Sequence, residues 1–178
     1  MENNTKNMTE KLCSESYAEM TQLVLPNDTN MLFNLMGGKL MQWMDIVAAI
    51  SAQRHSNRLV VTASVDNVSF KEPIKLGYVV TLKAQVTRSF RSSMEVHIQV
   101  WAEDVPNQRK FRSNEAYLTF VALDNEGKPV SVPVAVPNND IEKHLFTTAL
   151  NRRELRLVLA GKMKPSDAEG LRSLFTEK

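Results

Sequence analysis

Cysteine is nearly absent. Cys13 is the one thiol in 178 residues, which excludes an internal disulfide framework and suits a reducing cytoplasm. It lies in a polar N-terminal arm, residues 1–17, where it makes a poor nucleophile. Long apolar runs are missing too: none approaches the ~18 residues of a membrane span. The opening "MENNTKNMTEKLCSES" lacks the apolar stretch of a secretory signal. Neither sign of charge dominates, since 22 Lys and Arg against 20 Asp and Glu leave +2. That is too little to argue for a nucleic-acid partner. The three histidines, His55, His97 and His144, are scattered, with no second His or Cys at metal-ligand spacing. No G-x-S-x-G or Walker-type loop occurs, and neither does an internal repeat or a low-complexity linker.

What is present is ordinary for one globular domain: 43% hydrophobic and 24% charged residues. A chain of this length buries roughly 70% of its unfolded surface. A strand is predicted near Ala18–Leu25, followed by the turn cluster "PNDTN" and a helix from about Gly37 to Gln53. "RHSNR", Arg54 to Arg58, reads as an exit loop. Leu59–Val68 reads as a strand, and "KEPIKLG", Lys71 to Gly77, as a connection. Val80, Leu82, Ala84 and Val86 then alternate with polar residues, as do Met94, Val96, Ile98 and Val100. The short turn "SFRSS" makes these two an antiparallel hairpin, and Asn114–Leu123 adds a further strand. His97 falls on the wet face and should be exposed. Helical spacing returns in residues 138–178, with a second short helix capped by Ser166 or Asp167. Arg152, Arg153, Arg156, Lys162 and Lys164 make this extension basic; a solvated helical face is the plain reading and a phosphate- or partner-contacting tail the other. The class is α+β. One sheet with one dry face needs a cover, and the apolar helix supplies it.

That helix poses a problem. Leu40, Met41, Trp43, Met44, Ile46, Val47, Ala48 and Ile50 cover nearly its whole circumference, as in an enclosed helix. Asp45 sits among them with no Lys or Arg at i±3 or i±4. A buried, unpaired carboxylate is costly and asks for a reason. Gly37-Gly38 opens the same helix, where amides are unpaired and the macrodipole is positive. Donors for a developing oxyanion and a carboxylate deeper in the helix suit acyl transfer to water. Read without further context, Asp45 is equally a structural acid and Asn34 a helix cap.

Three blocks sharpen the reading. "PNDTN…NLMGGKLMQWMDIVAAISAQRH", "VVTASVDNVSFKEPIKLGYVVTLKAQVTRSFRSSMEVHIQVWAED" and "AYLTFVAL" together resemble the hotdog-fold acyl-CoA thioesterases of the cytosolic and brain acyl-CoA hydrolase type. The resemblance covers about Val24 to Val136. It implies a hotdog domain over residues 18–137, an antiparallel sheet wrapped around a long central helix, with residues 138–178 as a helical extension. It further implies hydrolysis of acyl-CoA with CoA as part of the substrate, no resident cofactor or metal, and no nucleic-acid or membrane partner. The expected assembly is a homo-oligomer of hotdog dimers, as a trimer of dimers.

By position, the resemblance makes Asp45 the general base or nucleophile and Asn34 the asparagine that faces it across the dimer. Gly37 and Gly38 become the helix start that polarises the thioester. Arg91, Ser92 and Ser93 fall on the CoA-binding turn, and Thr62 on the pantetheine channel. The pattern is broken at Phe33, where glycine is usual, and at Met36, Ile46 and Phe90. A non-catalytic acyl-CoA-binding regulator is the alternative, although such a protein needs neither Asn34 nor Asp45. A dehydratase would place a histidine on the helix, and His55 lies past the helix end predicted here.

Overall fold

The computed structural model describes residues 9–66, 68 and 72–176, with side chains as far as residue 173. Residues 1–8 of the predicted arm, Asn67 and Lys71 lie outside the described residues. The chain forms two compact units, Met1–Val136 and Pro137–Lys178.

In the first unit a five-stranded antiparallel sheet carries one long helix. The strands are β2 (Ala18–Leu23), β3 (Leu59–Asp66), β4 (Val79–Ser89), β5 (Ser93–Asp104) and β6 (Arg109–Leu123), in the order β2-β4-β5-β6-β3. The helix α1 (Gly37–Ser56) packs on all five. Leu40, Trp43, Met44, Val47, Ala48 and Ala52 are buried at three- and four-residue spacing along it. They meet the inward residues Val80, Leu82, Ala84, Val96, Ile98 and Phe120 in one core. The alternation in the sequence sets this face, because a one-residue slip would turn every inward side chain outward.

Three expectations need correction. Arg54 to Ser56 belong to α1, which ends only at Asn57, a left-handed cap (φ 52°) whose amide reaches the Gln53 carbonyl at 2.8 Å. Cys13 does not lie in a merely polar arm. It is buried in a short 3-10 turn after β1 (Glu10–Leu12), which pairs in parallel with β7 (Val134–Val136). These strands of three residues carry too little pattern to be seen in sequence. His97 does face away from α1, yet it is only 7% exposed. Its Nε2 lies 2.5 Å from Glu115 Oε1 and its ring stacks on Tyr117 at 4.8 Å. Alternation gives a side chain's face but not the cross-strand neighbours that cover it.

The helix itself is half enclosed. Met41, Asp45, Ile46 and Ile50 form a second stripe that is exposed in the single chain. In the second unit, α2 (Asp140–Leu159) begins at Asn139, whose side chain accepts the Glu142 amide, and α3 (Glu169–Thr176) follows a turn through Gly161 (φ 67°). The Leu171 amide donates to Glu154 at 2.9 Å and ties α3 to α2. Among the described residues no helix is long and apolar enough to cross a membrane.

At the end of α1, His55 is fully buried. Its Nε2 lies 3.0 Å from the Pro133 carbonyl, and its Nδ1 has no partner among the described residues. Burial holds the imidazole below its usual pKa, with the Pro133 contact opposing the shift. The unfolded chain therefore binds a proton that the folded one refuses. Stability should be complete above pH ~6.5 and should fall as pH drops through and below that value. Urea midpoints between pH 8 and 5 check this, and His55→Gln should flatten the curve across the same window.

Candidate active site

Asp45 lies in the third turn of α1 and is exposed in the single chain, contrary to the enclosed position that the apolar helix suggested. The reason is the helix's second stripe, which its own sheet leaves bare. The carboxylate is not unpartnered either: Thr62, on β3, donates its hydroxyl to Asp45 Oδ1 at 2.6 Å. Thr62 opposes Phe120 on β6, and Phe120 faces the core, so the sheet aims the threonine at α1. A hydroxyl on one oxygen fixes the carboxyl plane and leaves Oδ2 available. Around this pair, Met41, Ile46 and Ile50 of α1 are also exposed, and edge strand β3 leaves Val65 exposed on the same face and Leu59 and Val61 on the opposite one.

The start of α1 is a second group of features. Its cap residue is Met36, with no side-chain capping bond, so Asn34 does not cap the helix. The Lys39 and Leu40 amides both donate to the Met36 carbonyl. The Gly37 and Gly38 amides find no acceptor among the described residues, which leaves two donors at the positive end of a twenty-residue helix. A cleft of 390 Å³ opens beside them, lined by Asn34, Gly37, Leu40, Ile74 and Asn114.

Before the helix, residues 29–35 form a braced turn. Thr29 bridges Leu35, and the Asn30 amide donates to the Asn34 carbonyl at 2.8 Å. Asn30 Oδ1 accepts the amides of Leu32 and Asn34 at 2.9 and 3.2 Å. That fixes the Asn30 amide group and leaves Nδ2 as a donor. Leu35 and Leu76 amides, donating to Ile74 and Phe33 carbonyls, lock the turn to residues 74–76.

The remaining candidates lie in the β4–β5 turn. Arg91 is exposed, and its guanidinium has no partner among the described residues. Its carbonyl accepts the Val132 amide, and the Ser92 carbonyl accepts Ala122. Ser93 opposes Val121, which opposes Val61, so this turn is at the Thr62 end of the sheet.

Asp45 and the helix-start amides do not converge within one chain. Seven or eight helical residues separate them, roughly 10–12 Å along the axis at 1.5 Å per residue. Groups that act on one carbonyl must each reach it within about 3–3.5 Å. Within a single chain the structure thus brings together Asp45 with Thr62, and separately Asn30, Asn34, Gly37 and Gly38.

Known proteins resemble this chain in sequence and in fold. The Thioesterase superfamily model matches residues 34–107. The chain is 44% identical over 146 residues to the Bacillus subtilis protein called uncharacterized acyl-CoA thioester hydrolase YkhA, covering 82% of this chain and 85% of that one. It is similar to the Staphylococcus aureus acyl-CoA hydrolase solved with butyryl coenzyme A, coenzyme A and coenzyme A disulfide: 42% identity, TM-score 0.79, 86% of this chain and 95% of that. An apo-hexameric acyl-CoA thioesterase gives 39% identity and TM-score 0.83 over 85% of this chain and 97% of that. The Staphylococcus enzyme has also been solved with one aspartate, one threonine or one asparagine replaced by alanine. There the threonine stands seventeen residues after the aspartate and the asparagine fifteen before it.

Gly38 permits a clean separation of stability from site function. A Cβ added there meets nothing within 4 Å, and no left-handed φ demands glycine. In the single chain Gly38→Ala should cost nothing and should gain up to about 1 kcal/mol of helix propensity. The melting temperature is expected to hold or to rise by about 2–4 °C. If these amides serve a ligand that approaches closely, turnover should fall in the same variant; calorimetry and kinetics on one preparation read both.

Proposed function

The chain belongs to the acyl-CoA thioester hydrolases of the thioesterase superfamily, and we propose that it hydrolyses acyl-CoA to a carboxylic acid and CoA at a site shared by two copies. The observation that carries this reading is the Asp45–Thr62 pair on a bare apolar face, well removed along α1 from the amides that would hold an oxyanion. One copy offers a base and the other offers the donors. Pairing of two copies across α1 and β3 would bring them to one carbonyl and would exclude water from the stripe around Asp45.

In this reading Asp45 Oδ2 takes a proton from water as the water oxygen bonds to the thioester carbon. The carbonyl electron pair moves onto its oxygen, which the partner copy's Gly37 and Gly38 amides stabilise. Collapse re-forms the C=O bond and breaks C–S, and the proton on Asp45 passes to the departing CoA sulfur. Attack by Asp45 itself, through an anhydride that water then opens, uses the same carboxylate. Either route draws only on side chains, amides and water, so CoA is substrate and product and no resident cofactor is called for.

The asparagine that joins the amides is better taken as Asn30 than as Asn34. Thr62 follows Asp45 by seventeen residues and Asn30 precedes it by fifteen, the spacings of the three positions varied in the Staphylococcus enzyme. Asn30 also has its Oδ1 committed to the turn and Nδ2 free to donate. Asn34 then serves the turn through its backbone. Resemblance had pointed to Asn34 because it is the nearer asparagine to Gly37-Gly38. The Arg91 guanidinium, without a partner among the described residues, suits a CoA phosphate, with Ser92 and Ser93 beside it. A hexamer built as a trimer of such dimers, in the cytoplasm, completes the proposal.

Asp45→Asn should fold normally and lose ~10²-fold or more in kcat, about 3 kcal/mol of transition-state stabilisation. Near-normal release of free thiol by a folded variant would remove Asp45 from the chemistry.

Mixing tests the shared site. Asn30→Ala and Asp45→Asn chains should each be weak alone. A mixed dimer collects both defects in one site and leaves the other intact. Since a two-fold dimer holds two equivalent sites, random exchange should restore about a quarter of wild-type activity. No recovery despite subunit exchange proven by mass would place both residues in one chain's own site.

A further inference from the structure

Met31, Leu32 and Phe33 stand at the tip of the braced turn, 96%, 76% and 66% exposed. Three consecutive apolar side chains in water are unusual for so rigid a turn. Phe33 is more unusual still, because its backbone is left-handed, φ 56°. Glycine adopts that conformation freely, whereas a bulky aromatic does so only against strain. The ring's burial within this chain does not repay the strain, since two thirds of it faces solvent. The backbone is nonetheless held firmly: the Phe33 amide donates to Asn30 at 2.9 Å, and its carbonyl accepts Leu76 at 2.9 Å. Strain of this kind, over-determined by surrounding bonds, is characteristic of functional positions.

We propose that Met31–Leu32–Phe33 is an acyl-chain selectivity element, with Phe33 its central residue, that favours medium and long acyl chains over short ones. This rests on the reading of the protein as an acyl-CoA hydrolase. The same turn carries Asn30, and Phe33 precedes Gly37 by four residues, so its apolar tip and the donors assigned to the thioester oxygen belong to one short segment. At that carbon a substrate divides into a polar CoA arm and an apolar chain, and only the chain has use for an apolar wall. Each methylene that the wall removes from water favours binding by about fourfold. An acetyl group is too short to collect that gain, whereas a lauroyl chain collects it several times over. Glycine at position 33 would relieve the backbone and forfeit the wall.

The test compares wild type, Phe33→Gly and Phe33→Asn with butyryl-CoA and lauroyl-CoA, reading free thiol. Asparagine tolerates the left-handed backbone, so the second variant keeps the turn while removing the apolar ring. The ratio of kcat/KM for lauroyl- over butyryl-CoA should fall about tenfold or more in both variants. Melting temperature should hold or rise in Phe33→Gly, and mass by light scattering should not change. An unchanged ratio in either variant, with the assembly intact, would overturn the proposal. So would dissociation of the assembly, which would make the tip a contact between subunits. A wild-type protein inert toward both thioesters would overturn the underlying functional reading instead, and this inference with it.

Discussion

The constraint on which the rest depends is that α1 has two apolar stripes and its own sheet can cover only one. Leu40, Trp43, Met44, Val47, Ala48 and Ala52 are spent on the core. Met41, Ile46 and Ile50 are left bare on the far side, with Asp45 in their midst. Apolar surface of this extent is unfavourable in water at roughly 25 cal/mol per Å². It therefore supplies a driving force for a second copy. The Asp45 carboxylate is placed where that association would desolvate it, and the Thr62 hydroxyl already holds one of its oxygens. In the proposed dimer the hydrophobic effect that joins two copies would also dry the carboxylate.

Helix geometry supplies the reason for proposing a site made by two chains. An α-helix offers its unpaired amides at one end only, and a side chain two turns along cannot reach the same carbonyl. A single helix can carry both an oxyanion-stabilising terminus and a base, but it cannot bring them together. Two copies related by a two-fold axis solve this twice over, since each start can meet the other's carboxylate. The open Gly38, with nothing within 4 Å of a Cβ, fits a surface reserved for something outside the chain.

How much of this was legible in sequence depends on what each pattern encodes. Period-two alternation in Val80–Val86 and Met94–Val100 fixed the sheet and its inner face, because burial on one face imposes it. The α1 pattern fixed a helix, but it could not distinguish enclosure by the chain's own sheet from enclosure by a second copy, so Asp45 was expected inside and stands exposed. His97 and Cys13 were misplaced for a related reason: covering depends on neighbours distant in sequence, Glu115 and Tyr117 for one, β1 and β7 for the other. The Asp45–Thr62 bond joins helix to edge strand and has no local signature. Asn30, which the proposed reading prefers to Asn34, braces its turn through an Asx-type bond, a property that "TN" before an apolar tip could have suggested.

The two edges of the sheet bear on where copies meet. β2 has six residues, carries Glu19, which pairs with Lys83 at 3.9 Å, and stops close to Pro26. Short length, charge and proline are the devices by which natural sheets discourage pairing at an edge. β3 has eight residues, no lysine and no proline, and its one charge, Asp66, is at the very end. Leu59, Val61 and Val65 are exposed along it. An edge left so unprotected would invite aggregation unless it were occupied. Because β3 also carries Thr62 and flanks the bare stripe of α1, occupation by the β3 of a second copy would close the edge, cover the stripe and complete the site in one association. Protection of β2 and exposure of β3 thus favour a single mode of pairing over open-ended growth, since each chain would offer one adhesive edge and the pair would consume both.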